Sequence, residues 1–378
     1  MTTAKDITPS QLIWRKFKRN RLAYFGLVVI LLFFLIAFLG PLIRPDSSPK
    51  ANDQFLELAR KPPGFECTFI RMTNEGAEGG SFIQQWLFGF SKSFKEIAIK
   101  DYRIAERGVA IIPFSAPANK KEFEVFLEAD NFKDFHTQSL DSQPQFIVER
   151  SFLLGTDRYG RDLLSRLMAG CWISFSVGII SLSISLLIGI TLGAFAGYFG
   201  GKIDDLIVWF FNVVWSVPTL LLVIAITLVL GKGIWQVFVA VGLTMWVEVA
   251  RLVRGQVMEM RSKEFVEAGR AFAFKSRRII LRHILPNISG PIIVISASNF
   301  AAAILIEAGL SFLGLGAQPP QATWGKMIAE HKGYIITGDA YLAIFPGIAI
   351  FLLVLAFVVV GNGLRDAFDS KQLNPSAS

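Results

Sequence analysis

Residues 22–43 read LAYFGLVVILLFFLIAFLGPLI, an apolar run without a charge. As a helix it is long enough to cross a hydrocarbon core of about 30 Å. It is too long for the apolar region of a signal peptide and lacks a small-residue cleavage site behind it, so it is expected to remain as an anchor. Arg15, Lys16, Lys18, Arg19 and Arg21 stand just before it. Positive charge flanking a span stays on the cytoplasmic face, which puts the N-terminus inside and the chain after Ile43 outside.

Beyond this run the pattern repeats. Of 378 residues, 52% are hydrophobic, the mean hydropathy is +0.48, and the 18% that are charged crowd into a few segments. That is more apolar surface than a soluble domain needs to fill its core. Further spans are predicted over residues 171–199, 206–230, 235–253, 288–310 and 341–361, six in all. Six spans return segment 254–287 and the C-terminal tail, with Arg365 and Lys371, to the cytoplasm. The segment carries Arg254, Arg261, Lys263, Arg270, Lys275, Arg277, Arg278 and Arg282 against Glu259, Glu264 and Glu267. An odd count would put this loop or one terminus on the wrong face. The net charge of +8 therefore follows topology. Lys and Arg flank apolar runs and form no basic face with stacking aromatics, so nucleic acid is not an expected partner. Cys67 and Cys171 make neither a disulfide framework nor a metal cluster.

Within the second span Gly189, Gly193 and Gly197 recur every four residues, a spacing that lets helix backbones approach closely in lipid. A helix-packing face is expected there, its partner open, although glycine is also simply frequent in membrane helices. In the third span Pro218, within Trp215-Ser216-Val217-Pro218, removes a backbone donor and is expected to kink the helix, as a hinge or as a shape for packing. Glu248 and Glu307 are the intramembrane carboxylates. Glu248, three residues before Arg251, reads as a local ion pair. Glu307, at the outer end of the fifth span, reads as bordering a translocation path. Ser296, Ser298 and Asn299 either line that path or join helices.

In the basic segment Ser262 is expected to cap a helix that places Phe265, Ala268, Gly269 and Phe272 on one face. Ser276 is expected to cap a second helix over residues 277–285, closed by Pro286. Small residues between phenylalanines make a notch suited to another protein's groove. An interfacial helix lying on anionic lipid fits the same residues.

The run Ala250-Arg251-Leu252-Val253-Arg254-Gly255-Gln256, then Glu264-Phe265-Val266-Glu267-Ala268-Gly269-Arg270-Ala271, then Arg282-His283-Ile284-Leu285-Pro286-Asn287 resembles the EAA loop of binding-protein-dependent importer permeases. The resemblance implies a coupling helix that seats in a cleft of a cytoplasmic ATPase. Its coupling residues would be Glu264, Phe265, Glu267, Ala268, Gly269, Arg270, Ala271, Phe272 and Pro286, with Glu267, Ala268 and Gly269 at the core. The sequence departs from the pattern twice. Gly269 replaces Ala at the third motif position, and Ala273 stands where the family usually has Gly, which bears on the turn between the two helices.

Four other stretches resemble the C-type subunit of dipeptide and oligopeptide permeases. They are Trp14-Arg15-Lys16-Phe17-Lys18-Arg19-Asn20, Leu154-Gly155-Thr156-Asp157-Arg158-Tyr159-Gly160-Arg161-Asp162, Leu310-Ser311-Phe312-Leu313-Gly314-Leu315-Gly316 with Pro319, Pro320, Trp324 and Gly325, and Gly363-Leu364-Arg365-Asp366-Ala367. The resemblance implies an all-α polytopic protein of the bacterial cytoplasmic (inner) membrane. It would have six transmembrane helices of the type I ABC importer permease type, with both termini cytoplasmic. Its partners would be a homologous permease subunit, two ABC ATPase subunits, an extracytoplasmic solute-binding protein and membrane lipid. The expected work is alternating access that moves peptides, with nickel chelates or another small solute as the alternative cargo.

The chain itself is not expected to be an enzyme. Its Gly-Lys pairs at Gly201, Gly231 and Gly325 lack the phosphate-binding pattern, so ATP and Mg would be used by partner chains, with no cofactor here. Only His136, His283 and His331 are present, without a zinc pattern or a nucleophile elbow, so no metal or catalytic site is expected. A secondary transporter driven by an ion gradient would need clear intramembrane carboxylate or discontinuous-helix sites. A receptor would need a cytoplasmic signalling module.

Residues 44–150 exceed the connection that the resemblance implies and are expected to form an α+β extracytoplasmic insert between helices 1 and 2. Strands are expected over residues 108–114 and 123–127 and an amphipathic helix over 82–100. The insert docks the solute-binding protein, shields the pore mouth, or acts as a spacer. The chain thus divides into a cytoplasmic segment 1–21, a first span 22–43, the insert 44–150, a permease core 151–361 of five helices with coupling loop 254–287, and a cytoplasmic tail 362–378.

Overall fold

A computed structural model of the chain describes residues 8–73, 85–86, 89–90, 92–117, 124–132 and 144–368. Helix α1 (Pro9–Arg19) meets α2 (Arg21–Ile43) at Asn20. The Asn20 side chain accepts from the Ala23 amide at 3.2 Å and caps α2. After the insert come α3 (Leu163–Phe199), α4 (Gly201–Trp215), α5 (Thr219–Leu230), α6 (Ile234–Arg261), α7 (Glu264–Ala271), α8 (Ser276–Ile279), α9 (Ser289–Phe312), α10 (Trp324–His331) and α11 (Tyr341–Phe368).

Five of these, α2, α3, α6, α9 and α11, are each long and apolar enough to cross a membrane. α4 and α5 pass the same test only together, and they are bent by 86°. The expected kink at Pro218 is therefore a full break. Proline lacks the amide that would continue α4, and its ring disfavours the helical region for the residue before it. The Ser216 hydroxyl meanwhile donates to the Val213 carbonyl at 2.7 Å and closes the helix behind it.

Helix ends also differ from the apolar runs. α3 begins at Leu163 because Asp162 accepts from the Ser165 amide at 2.8 Å, well before the apolar stretch starts at residue 171. α6 continues beyond residue 253 to Arg261, since helical hydrogen bonding does not stop where side chains become charged. α3 and α6 pack along their lengths, and α11 packs against both α2 and α9. Trp324 on α10 is fully buried at the meeting of α2, α3 and α9, its indole donating to the Leu167 carbonyl at 2.9 Å. Phe17 anchors α1 on α11 beside Ala23, Val360 and Ala367.

Between α2 and α3 lies an antiparallel sheet of β1 (Phe65–Thr73), β2 (Phe94–Ala105), β3 (Gly108–Pro113), β4 (Val125–Glu128) and β5 (Ile147–Phe152), in the order β4-β3-β2-β1-β5. β3 coincides with the strand expected over 108–114. β4 overlaps the one expected over 123–127, whose first residue lies outside the described residues. The helix expected over 82–100 is corrected over its last seven residues, although residues 85 and 86 are helical. Residues 94–100 belong to β2, and Ile97 and Ile99 pair with Ile70 and Thr68 of β1. Cross-strand pairing along a twelve-residue strand outweighs a short stretch of helical spacing. Residues 82–84, 87, 88 and 91 lie outside the described residues. Phe69 and Ile70, neighbours on β1, are both fully buried, so the centre of the sheet is covered on both faces, by Phe55 and Leu58 on one and by Phe132 and Phe146 on the other.

The sheet is tied to the helices at the turn before α3. Buried Asp157 accepts from the Tyr159 and Arg161 amides at 2.8 and 3.0 Å and from the Arg161 guanidinium at 2.6 Å. Gly160 has a φ of 72°, and a Cβ there would overlap the Phe55 carbonyl, so only glycine fits. Arg60 pairs with Asp339 at 3.0 Å, and the Tyr341 hydroxyl donates to the Lys61 carbonyl at 2.8 Å.

Candidate functional site

The segment joining α6 to α9 folds into a knuckle of two short helices. Ser262 ends α6, its hydroxyl donating to the Glu259 carbonyl at 2.9 Å, and so does not cap α7 as the sequence reading expected. Lys263, in extended conformation, occupies the capping position. Glu264 and Glu267 lie at the positive end of the α7 dipole and Arg270 at its negative end, which favours a helix only eight residues long. Ser276 is likewise inside α8, with Lys275 at its cap. The second helix, expected over 277–285, is a four-residue α-helix that runs into a π-helical turn at Ile280–Ile284, where the Leu285 amide reaches back to the Ile280 carbonyl at 2.9 Å. Exposed Pro286 follows, its carbonyl accepting from the Ser289 hydroxyl at 2.8 Å.

α7 is two-faced. Val266 is fully buried, and a Cβ on Gly269 would lie 3.6 Å from the Phe274 ring and 3.7 Å from Ile279. Glu264, Phe265, Glu267, Ala268, Arg270, Ala271 and Phe272 are exposed, Phe265 at 43% and Phe272 at 75%. The single face expected for Phe265, Ala268, Gly269 and Phe272 is therefore split. Gly269 joins Val266 in the inward seat, and Ala268 alone lies between the two phenylalanines outside. Gly269 stands between Phe265 and Val266 around the helix, so it falls at the edge where the two faces meet.

α7 ends in a left-handed turn. The Phe274 amide bonds the Gly269 carbonyl at 3.0 Å, the Ala273 amide bonds Arg270 at 2.9 Å, and Ala273 has a φ of 54°. This is the position at which glycine ordinarily sits in such a C-terminal cap. The Arg278 guanidinium lies 4.1 Å from the Phe274 ring centre, and the His283 ring stacks on it at 6.0 Å. Arg270 reaches over Tyr198 of α3 at 5.3 Å.

The knuckle continues from α6, and α6 is locked to its neighbours. A Cβ on Gly189 would come within 2.6 Å of Val249, one on Gly193 would overlap the Ala250 carbonyl, and one on Gly197 would come within 2.6 Å of the Arg254 carbonyl. The glycine face thus meets α6 of the same chain. Arg254 makes two bonds of 2.6 Å to the Asp204 carboxylate of α4. Arg251 donates to Asn212 at 2.9 Å and lies 3.6 Å over the Trp215 ring, beside the α4–α5 break. Among the described residues no ion pair joins Arg251 to Glu248, which is exposed on α6. Asp204 and Asn212 were missed in the sequence. The one available signal was an acid in the first turn of a helix after Gly200 and Gly201, facing the most basic loop of the chain.

The residues read as a translocation path sit elsewhere. The Ser296 hydroxyl bonds back to its own helix at Ile292, 2.7 Å away. Asn299 is buried, and Glu307, 2% exposed, accepts from the Ser311 hydroxyl at 2.6 Å. These two face this chain's own packing and not an open surface. Among the described residues no group of three or more His, Cys, Asp or Glu side chains could hold a metal ion.

Long apolar helices define a polytopic membrane protein, with a short two-faced helix exposed between α6 and α9. Residues 189–374 match the binding-protein-dependent transport system inner membrane component family, and residues 8–63 match the N-terminal TM domain of oligopeptide transport permease C. The chain is 42% identical over 217 residues to a dipeptide transport system permease protein of Alkalihalophilus pseudofirmus, covering 57% of this chain and 71% of that one. It is 37% identical over 264 residues to a glutathione transport system permease protein of Pectobacterium atrosepticum, covering 70% and 85%. It is 40% identical over 224 residues to an oligopeptide transport system permease protein of Haemophilus influenzae, covering 59% and 72%. Among solved structures, an inward-facing methionine ABC transporter aligns with a TM-score of 0.45 at 16% identity, over 55% of this chain and 98% of that one. The chain belongs to the family of inner-membrane components of binding-protein-dependent transport systems.

Proposed function

We infer that this chain is one of two permease subunits of an ATP-driven importer and that it moves peptides across the cytoplasmic membrane by alternating access. The observation that carries the mechanism is the exposure of Phe265, Ala268 and Phe272 beside Glu264 and Glu267 on a helix whose opposite face is anchored by Val266. Such a helix can be pushed as a rigid body by an ATPase that grips its outer face. Motion then passes along α6 to Arg251 and Arg254 and through them to α4. The peptide assignment rests on the dipeptide, oligopeptide and glutathione systems in the relatives' names.

In this reading the broken α4–α5 pair is the third of six spans, with both termini and the knuckle in the cytoplasm and the sheet outside, a topology that the basic charge of segment 254–287 supports. In this arrangement a second permease, two ATPase subunits and a solute-binding protein complete the machine. ATP and Mg belong to the ATPases. Replacing exposed Glu267 with Arg is expected to leave the folded permease intact while uncoupling ATP hydrolysis from uptake in reconstituted vesicles. Wild-type uptake by that variant would contradict the role given to α7.

A further inference from the structure

A cavity of about 690 Å³ lies between the sheet-side half of α2, the first half of α3 and the start of α6. Its walls include Phe38, Trp172, Ile173, Phe175, Ile180 and Phe238, and among the described residues its lining contains no acidic side chain. Both cations that line it, Arg44 and Lys50, belong to the segment leaving α2, at the end where the sheet begins. From Met168 to Ile180 the α3 wall runs roughly 18 Å at 1.5 Å per residue. This is close to the ~15 Å depth of one leaflet's hydrocarbon, half of a core about 30 Å thick. Ile179 and Trp235, which line it, are exposed, so the cavity is open to the apolar surface of the helices.

The backbone that carries the rim lysine is fixed in a short turn. Lys50 has a φ of 62° in a short turn at Pro49–Ala51. The Ala51 amide bonds the Ser48 carbonyl at 3.0 Å, and the Asn52 amide bonds the Ser48 hydroxyl at 3.1 Å. The Arg44 guanidinium donates to the same Ser48 carbonyl. Among the described residues Lys50 has no ion-pair partner, so its ammonium is left for a ligand at the level of the headgroups.

We propose that this cavity binds an anionic phospholipid, one acyl chain entering between α2 and α3 and the phosphate resting on Lys50. The assignment concerns lipid and not cargo, and it holds whichever solute the permease carries. Charge complementarity separates it from a purely apolar contact, because an aliphatic occupant would leave the Lys50 ammonium at the rim without a counter-charge, whereas Arg44 is already bonded to the Ser48 carbonyl.

The test is native mass spectrometry of the full-length chain purified with its partner subunits, offered equal amounts of phosphatidylglycerol and phosphatidylethanolamine. The wild type is expected to retain phosphatidylglycerol preferentially. Lys50→Asn, which keeps a residue tolerant of the left-handed backbone, is expected to lower that preference about fivefold, the factor for one basic group at a membrane surface. Ala169→Trp, which fills the cavity from α3, is expected to abolish retention of both lipids. Because that variant could misfold, a photoreactive residue at Ile179 in the otherwise wild-type complex provides a second reading and is expected to attach lipid. Equal retention of the two lipids, an unchanged ratio in Lys50→Asn, or attachment of the Ile179 probe to another polypeptide would overturn the proposal.

Discussion

Ala273 holds a left-handed backbone at the turn that seats the contact helix. A Cβ in that region costs about 1–2 kcal/mol. Ala273→Gly relieves it while loosening the unfolded chain, so a net gain of about 0.5–1 kcal/mol is expected, read as slower hydrogen exchange in α7 and α8. Gly269 tests the same turn from the other side. Alanine fits there with ordinary contacts to Phe274 and Ile279 and adds roughly 1 kcal/mol of helix propensity, so Gly269→Ala is expected to keep full coupling. Glu96 matters in the sheet. Burial pushes its carboxyl up, but Arg150, Lys92 and Arg71 outweigh that and hold it below the usual glutamate range. A depressed folded pKa contributes stability that is complete above the unfolded value of about 4.3 and is lost as pH falls through the folded one. The β1–β2 amides are therefore expected to lose exchange protection below about pH 4. Glu96→Gln is expected to lose about 3 kcal/mol at neutral pH by leaving half-buried Arg150 and Arg71 without a carboxylate, while Lys92 keeps Asp53, and to show a flatter acid profile.

The α3–α6 seam is where an element-scale change should be felt most. The Gly193 face rests on the α6 backbone itself, which cannot move aside as a side chain would. Gly193→Leu is expected to separate the two helices by more than the 1–3 kcal/mol of ordinary overpacking and to abolish the folded permease in detergent, as seen by size-exclusion chromatography. This seam also marks how far sequence carries. The four-residue glycine repeat identifies a packing face on α3 but contains nothing about which helix lies opposite, because periodicity is a property of one element. The same boundary explains the other differences. Ser262 is a good capping residue for either neighbouring helix, and only the bond to Glu259 assigns it to α6. The spacing in residues 94–100 fits a helix until β1 is present to pair with it. Arg251 has Glu248 within reach on its own helix and takes Asn212 and Trp215 on another. Five of the spans, by contrast, were legible as long apolar helices, since in lipid an apolar run of sufficient length has few structures open to it.

At the scale of the molecule, five apolar helices and one broken pair carry a folded sheet at one end and a paired-helix knuckle at the other. The proposed transport cycle requires these two ends to face opposite compartments and the knuckle to be gripped by a nucleotide-driven neighbour. The chain suits a cysteine test, because both native thiols are buried, and burial followed by the Glu57 charge pushes the Cys67 thiol up to about 11. The decisive measurement is labelling of Glu267→Cys with a membrane-impermeant maleimide in sealed vesicles of each orientation, with and without the ATPase subunits. The account predicts labelling only in inside-out vesicles and protection when the ATPases are bound. Labelling in right-side-out vesicles, or labelling that the ATPases leave unchanged, would contradict it.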